Sequence, residues 1–296
     1  MTGIILLDKP NNITSFSAVN RVRRLLSVKK VGHTGTLDPM ATGVLPIALS
    51  NCTRFIDLLP VHDKGYVATA KFGVTTDTLD STGTVLSESE VNVTREQLES
   101  VLEKYTGEIE QIPPMYSAIS KNGKRLYELA RQGIEIEREA RKITIYSLSL
   151  GSFDGDCFSI SVECSAGTYI RSLIDDIGKD LGCGAVMTDL RRTSANGFSI
   201  NNCVTLEELE KAVNDGTADK YITPIEKCFD TYSEIVVTEG QAKRFSNGGE
   251  LSRDRLKDNI PDGIYRVYSP DRLFLGLGEI EKDGEVLKVR RVYVRE

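Results

Sequence analysis

The sequence predicts an α+β protein: a mixed, mainly antiparallel sheet flanked by helices and loops, followed by a small C-terminal β-barrel. Three observations carry this. Segments such as 64–73 alternate apolar and polar residues with the period of a half-buried strand. Between them lie stretches that open on Ser or Thr caps and continue with apolar residues at helical spacing. From about Tyr232 the pattern changes to short strands and Gly-containing turns, which suits a small closed sheet and divides the chain into 1–231 and 232–296.

In chain order, 4–7 is an apolar run fit for a buried strand, and Asp8-Lys9-Pro10-Asn11-Asn12 a turn. Thr14 or Ser15 caps a helix to about Leu26, with Phe16, Val19, Val22, Leu25 and Leu26 on one face and Arg21, Arg23 and Arg24 largely off it. A strand over 44–49 and a short helix over 52–59 lead to the strand 64–73. The segment 75–84 resembles a calcium loop only superficially, lacking the closing glutamate and the flanking helices, and reads as a polar loop. Thr94-Arg95-Glu96-Gln97 is a capping box that starts a helix to about Tyr105.

Residues 113–142 form an irregular, charged insertion. Its basic residues Lys121, Lys124, Arg125, Arg131, Arg138, Arg141 and Lys142 outnumber four glutamates, and a short helix fits 126–131. Strands 143–150 and 158–164 pair through a turn at 153–156. Tyr169 and Arg171 stand two apart, so on a strand end they face one side. Asp175 and Asp176 begin the helix that follows and read as structural. A strand over 186–193 and a helix starting at 205–209 complete this part.

Composition narrows the function. The chain has 296 residues, 40% of them apolar and 27% charged, enough to bury a large core. No apolar run approaches the roughly 18–20 residues of a membrane span, and the N-terminus reads as a strand rather than a signal peptide. The six cysteines are scattered with no CxxC pair, which suits reduced thiols in a cytosolic protein. His33 and His62 are the only histidines, so a histidine-rich metal site is excluded and no metal is expected. No GxxxxGK[ST] or GxGxxG occurs, so no nucleotide cofactor is expected either.

The informative stretch is Gly32-His33-Thr34-Gly35-Thr36-Leu37-Asp38-Pro39, running on through Ala41-Thr42-Gly43-Val44-Leu45-Pro46. It aims one carboxylate, Asp38, from a frame of glycines, threonines and prolines, a composition that also builds ordinary turns. Its context is unusual. No acidic residue lies between Asp8 and Asp38, whereas Lys9, Arg21, Arg23, Arg24, Lys29 and Lys30 do. A basic approach to a lone carboxylate suits a polyanionic substrate, and the net charge of −6 confines that attraction to a local patch.

The loop resembles the signature of the TruB-type tRNA pseudouridine synthases. So do Lys9-Pro10, Lys64-Gly65-Tyr66, the PPMYSA…GKRLYELARQG wording of 113–133, and Gly167-Thr168-Tyr169-Ile170-Arg171-Ser172-Leu173. The resemblance covers nearly the whole chain and is weakest in the C-terminal part. It implies a pseudouridine-synthase catalytic domain with a thumb-like insertion at about 113–142 and a C-terminal PUA-like RNA-binding domain. The implied activity is isomerisation of uridine 55 in the tRNA T-loop, with the base flipped out, the glycosidic bond cleaved and C5 joined to the sugar. Asp38 is then the catalytic carboxylate, Arg171 its partner and Tyr169 a contact to the base. Lys9 helps build the site, Tyr66 lies over the base, Leu190 lines the apolar wall, and His33 stands near the flipped nucleotide. The implied enzyme is a monomer whose partner is the tRNA T-stem-loop, without cofactor, membrane or protein partner.

Two other readings compete. A non-catalytic RNA-binding or RNA-folding protein would use the same basic surfaces, but binding alone needs no carboxylate facing phosphate. A nucleoside hydrolase would ordinarily need two carboxylates across the bond, and the Asp38 loop holds one.

Overall fold

The computed structural model describes residues 1–121, 123–256 and 260–294. Ten strands form one sheet. Along its path lie Ile222–Thr223, Gly3–Lys9, Thr42–Leu49, Ala185–Ala195, Lys64–Phe72, Cys157–Cys164, Arg141–Asp154 and Gly107–Gln111, while Val31–His33 and Phe198–Ser199 pair at its side. Pairing is antiparallel except where Thr42–Leu49 runs alongside Ala185–Ala195, so the sheet is mixed and mainly antiparallel, as expected for the family resembled. That one parallel contact, Arg191 and Arg192 against Thr42 and Gly43, lies at the end of the Asp38 loop.

Helices cover the sheet, while the far face of Lys64–Phe72, Cys157–Cys164 and Arg141–Asp154 is open. On one half, Ile5, Leu7, Leu45 and Ile47 pack against Val19 and Val22 of the helix Ser15–Leu25 and against Leu206 and Leu209 of the helix Leu206–Asn214. On the other half, Tyr66, Ala68, Phe158 and Leu190 meet Leu173, Ile174 and Ile177 of the helix Ile170–Asp180. Capping is as read from the sequence. Thr14 accepts from the Ser17 amide at 3.0 Å, and Thr94 with Gln97 closes a reciprocal capping box.

A second sheet of five strands follows, in the order Ser233–Val236, Gly263–Tyr268, Phe274–Ile280, Val286–Val292 and Leu251–Ser252, curled into a half-barrel. A helix over Glu239–Ser246 packs on it through Phe245, opened by a Thr238–Gln241 capping box that the sequence reading passed over.

Two local expectations need correction, and a third gains detail. Phe16, assigned to the buried face of its helix, is 73% exposed; the buried face starts instead with Ser15 and runs through Ala18, Val19 and Val22. Tyr169 and Arg171 do not sit on a strand end. Tyr169 is the N-cap of a helix and Arg171 lies in its first turn, because Ile170, Leu173, Ile174 and Ile177 carry a helical stripe that outweighs the Gly-Thr-Tyr lead-in. The segment 75–84 is a loop inside a hairpin, Val74–Thr76 paired with Val85–Glu88, and its Asp80 is buried.

Candidate active site

The loop carrying Asp38 is anchored from four sides. The buried Ser15 hydroxyl accepts from the Leu37 amide at 2.8 Å and donates to the Leu37 carbonyl at 3.0 Å, so the helix start grips the residue before the carboxylate. The ammonium of Lys9, fully buried, donates to the carbonyls of Pro10, Ile13 and Pro39 at 2.9, 2.7 and 3.2 Å. Arg192, also fully buried, gives Nε to the Val44 carbonyl at 2.7 Å and Nη2 to the Gly35 carbonyl at 3.0 Å. Thr34 donates to Asn196 Oδ1 at 2.6 Å. These bonds hold backbone on both sides of Asp38, which leaves little freedom to the side chain between them.

Glycine is required at two points of this frame. Gly35 sits at φ +64° and Gly43 at φ +106°, both in the left-handed region. A methyl group on Gly43 would also collide with the Arg192 carbonyl of the neighbouring strand.

Asp38 projects toward the helix Ile170–Asp180. Arg171 meets it with two nitrogens, Nε to Oδ2 at 3.0 Å and Nη2 to Oδ1 at 3.2 Å. The arginine side chain is 6% exposed and the aspartate 33%, so the carboxylate shows one edge to solvent from a mostly closed site. Arg171 is itself oriented from behind: Nη1 donates to the Thr78 carbonyl at 3.0 Å and reaches Asp80 Oδ2 at 3.5 Å, and Nη2 donates to the Tyr116 carbonyl at 2.8 Å. Asp80 is fixed in turn by Thr78 and Thr82, whose hydroxyls it accepts at 2.8 and 2.5 Å. Burial pushes the Asp38 carboxyl above its usual range; Arg171 pulls it back, Asp80 adds to the rise, and Lys9 opposes it. One arginine between two carboxylates thus keeps Asp38 ionisable in a partly dry place.

Of the remaining predicted residues, Tyr66, Tyr169 and Lys9 feel the Asp38 charge and Leu190 shares a cluster with Leu37, while His33 lies toward Arg192; one of them differs in role. Tyr66 and Leu190 are buried in the same apolar cluster as Leu37 and Ala41, on adjacent strands where Tyr66 faces Arg192 and Leu190 faces Ala68 in register. Burial raises the Tyr169 hydroxyl, which lies against the hydroxyl of Ser117, while its backbone is clamped by Gln111 through bonds of 2.8 and 3.0 Å. His33 is half-buried with Nδ1 unpartnered, and burial, then the Arg192 charge, lowers it. Lys9 is the exception. Its ammonium is spent on three carbonyls, so it holds the loop rather than offering itself to a ligand; burial pushes it down to about 8 against the pull of Asp38.

Sequence reasoning missed Asp80, Arg192 and Gln111. Asp80 stood in a threonine-rich turn whose hydrogen-bonding residues explain a loop without any site. Arg192 follows another arginine, and nothing in the pair marks which one is inside. Gln111 ends a strand, Gly107–Gln111, where its side chain reads as exposed but is buried against Tyr169. The segment around 113–133 enters the site through the Tyr116 carbonyl and Ser117, and it has its own small core of Met115, Leu126 and Leu129.

Comparison with known proteins identifies the family. Residues 23–170 match the family model described as TruB family pseudouridylate synthase (N terminal domain). Residues 171–230 match the tRNA pseudouridylate synthase B C-terminal domain, and 233–293 match Pseudouridine synthase II TruB, C-terminal. Among curated relatives, the tRNA pseudouridine synthase B of Pseudomonas fluorescens (strain Pf0-1) is 44% identical over 295 residues, covering 99% of this chain and 96% of that one. The protein of the same name from Clostridium acetobutylicum is 45% identical over 285 residues, covering 96% and 97%. Among solved structures, a chain of the crystal structure of a Cbf5-Nop10-Gar1 complex superposes with a TM-score of 0.76 at 27% identity, covering 99% of this chain and 85% of that chain.

Proposed function

The chain belongs to the TruB family of pseudouridylate synthases, and from that premise we propose that it isomerises uridine 55 in the T-loop of tRNA to pseudouridine, with Asp38 as the catalytic carboxylate. It is a tRNA pseudouridine synthase, an isomerase acting on a tRNA uridine. The observation that carries the assignment of the site is the two-nitrogen contact between Asp38 and the buried Arg171, beside the apolar cluster that holds Tyr66 and Leu190.

The chemistry fits these groups. The bond from N1 to C1′ breaks, the uracil turns, and a bond from C5 to C1′ forms; the C5 proton leaves and N1 takes one up. Atoms and electrons balance without an external oxidant or reductant. Asp38 must be ionised for this, and Arg171 is placed to hold its charge. The base is inaccessible in a folded loop and must be flipped out, at a cost on the order of a few kcal/mol. Tyr66 offers a ring for it, Leu190 an apolar wall, and Tyr169 a hydroxyl near Asp38 for the C5 proton. Lys9 and Arg192 act one step back by fixing the loop. The enzyme works as a cytoplasmic monomer, with residues 1–231 as the catalytic part, 113–142 as an insertion that closes over the T-stem-loop, and 232–296 as a PUA-like part that binds RNA elsewhere.

Incubation with unmodified tRNA followed by site-resolved mapping tests the reading. Pseudouridine at position 55 is expected. Bound but unchanged tRNA would mean an RNA-folding protein, and free uracil a hydrolase.

A further inference from the structure

On the side of the loop away from Arg171, positive charge is collected without an anion to balance it. Arg192 is wholly buried, and its bonds to Val44 and Gly35 use Nε and Nη2. Its third nitrogen, Nη1, is shut off from water with no acceptor in hydrogen-bonding geometry, and the one hydroxyl against the guanidinium, that of Tyr66, is neutral. Lys64, at the start of the adjacent strand, is partly buried, and among the described residues its ammonium has no carboxylate and no hydrogen-bond acceptor. The two cations converge. A methyl group placed on Gly35 would stand 3.4 Å from Lys64 Nζ and 3.4 Å from Arg192 Nη1. His33 adds another buried nitrogen without a partner, close enough to feel the Arg192 charge.

Nothing among the described residues neutralises this group. Burial keeps the Cys164 thiol protonated, at about 11, and the Tyr66 hydroxyl neutral. Glu163, one register position along the neighbouring strand, accepts from Ser194 at 3.5 Å instead. Asp38 is taken up by Arg171. Two like charges in a poorly hydrated place are costly unless an anion joins them. Holding the loop does not require the second one, because Arg192 alone bonds its carbonyls.

The surface over the cluster is open. Gly35 and Thr36 are exposed, and Gly35 has no side chain to keep a ligand from approaching Lys64. We propose that Lys64, backed by Arg192 and flanked by His33, is a subsite over Gly35 for one backbone phosphate of the substrate RNA, next to the flipped uridine. Lys64 makes the contact, and Arg192 behind it supplies the second positive charge. The subsite rests on the reading of the protein as an RNA-modifying enzyme and adds to it a fixed point for the sugar–phosphate chain beside the reacting sugar. A phosphate held there carries no sequence information; it sets register, as backbone contacts do.

The test combines Lys64→Gln with T-stem-loop RNAs carrying one neutral methylphosphonate linkage each, placed in turn along the loop. For the wild-type protein, one linkage beside the target uridine should weaken binding about tenfold, the size of one charged hydrogen bond to phosphate. Lys64→Gln should bind native RNA about tenfold more weakly, be indifferent to that one linkage, and show a salt slope shallower by about 0.7. Lys64→Arg keeps the charge and should restore sensitivity to the linkage. Thermal unfolding checks that each variant is folded. The proposal is overturned if Lys64→Gln binds with unchanged affinity and slope, or if the losses from Lys64→Gln and from every linkage simply add. Product mapping on native RNA is read separately: turnover without coupling removes only the subsite, and coupling without turnover removes only the enzymatic reading.

Discussion

Replacing Asp38 by Asn separates chemistry from scaffolding, because the structure sets how much else the change disturbs. Asn keeps the shape and one acceptor but loses the charge. Arg171 gives up one of two bonds, at 3.0 and 3.2 Å, and retains Asp80, the Thr78 carbonyl and the Tyr116 carbonyl. The loss is therefore one charge-assisted hydrogen bond, worth about 1.5–3 kcal/mol, and toward the lower figure because Asp38 is one-third exposed. For a chain of 296 residues that lowers Tm by roughly 2–5 °C. The loop stays anchored through Ser15, Lys9 and Arg192, none of which touches the carboxylate. Affinity for tRNA should stay within about threefold, a change of about 0.7 kcal/mol. Turnover, followed as tritium released from 5-tritiated uridine, should fall by at least about 10³-fold, or about 4 kcal/mol of barrier. Near wild-type turnover would reduce Asp38 to a turn residue. Joint loss of binding and turnover in folded protein would make it a scaffold for the loop.

Asp80→Asn removes the second carboxylate behind Arg171, so kcat should drop about 10–100-fold with affinity for tRNA nearly kept; unchanged kcat would show that Asp38 and the carbonyls orient Arg171 alone. Gln at Arg21, Arg23, Arg24, Lys29 and Lys30, which line a cleft with Phe16 and His33, should flatten the salt dependence of RNA binding by about 0.7–0.9 for each phosphate no longer neutralised; an unaltered slope would make that cleft a solvated surface. The pH profile should be bounded on both sides. Asp38 must be ionised and its folded pKa is raised, so activity is lost as pH falls through a value above the ordinary carboxylate range. Lys9 loses its proton at about 8, so its hold on the loop weakens as pH rises past that value. A rate constant flat from pH 4 to pH 10, measured at saturating tRNA, would remove both groups from control of the chemical step.

What the sequence made legible was local or carried by spacing. The Asp38 loop could be read because a basic tract leads to its lone carboxylate and its wording resembles a known signature, and the caps at Thr14 and Thr94 because the hydrogen bonds they make span only three residues. Asp80 could not, because its meaning comes from Arg171, brought to it by the packing of a helix against the sheet. Arg192 was hidden for a similar reason. A guanidinium is buried here only because two loop carbonyls and a tyrosine hydroxyl line its cavity, and those come from strands far apart in sequence. Tyr169 and Arg171 show a different failure: they were grouped through a two-residue strand spacing, yet they stand at a helix start from which Arg171 reaches Asp38, and Gln111 holds the Tyr169 amide. Phe16 was misplaced because a helical stripe fixes a face but not where along it burial begins.

The two sheets share a core, and this bears on how a large RNA is measured. Phe55, after the strand that follows the Asp38 loop, has its ring 6.1 Å from that of Phe229, 6.2 Å from Phe274 and 6.1 Å from Tyr293, so rings of the second sheet and of the segments flanking it close around it. Ile4 and Leu6 of the first strand and Leu277 of the second sheet belong to the same cluster. At its edge Arg291 pairs with Asp57 at 3.3 Å, and Asn51 donates to the Val294 carbonyl at 2.9 Å. Interdigitated aromatic rings give up packing if the sheets turn against each other, which resists a free hinge. The strand Thr42–Leu49 connects the two places directly: its first residues close the Asp38 loop, and its last lead into Phe55. An RNA touching the second sheet is therefore presented to Asp38 at a set distance.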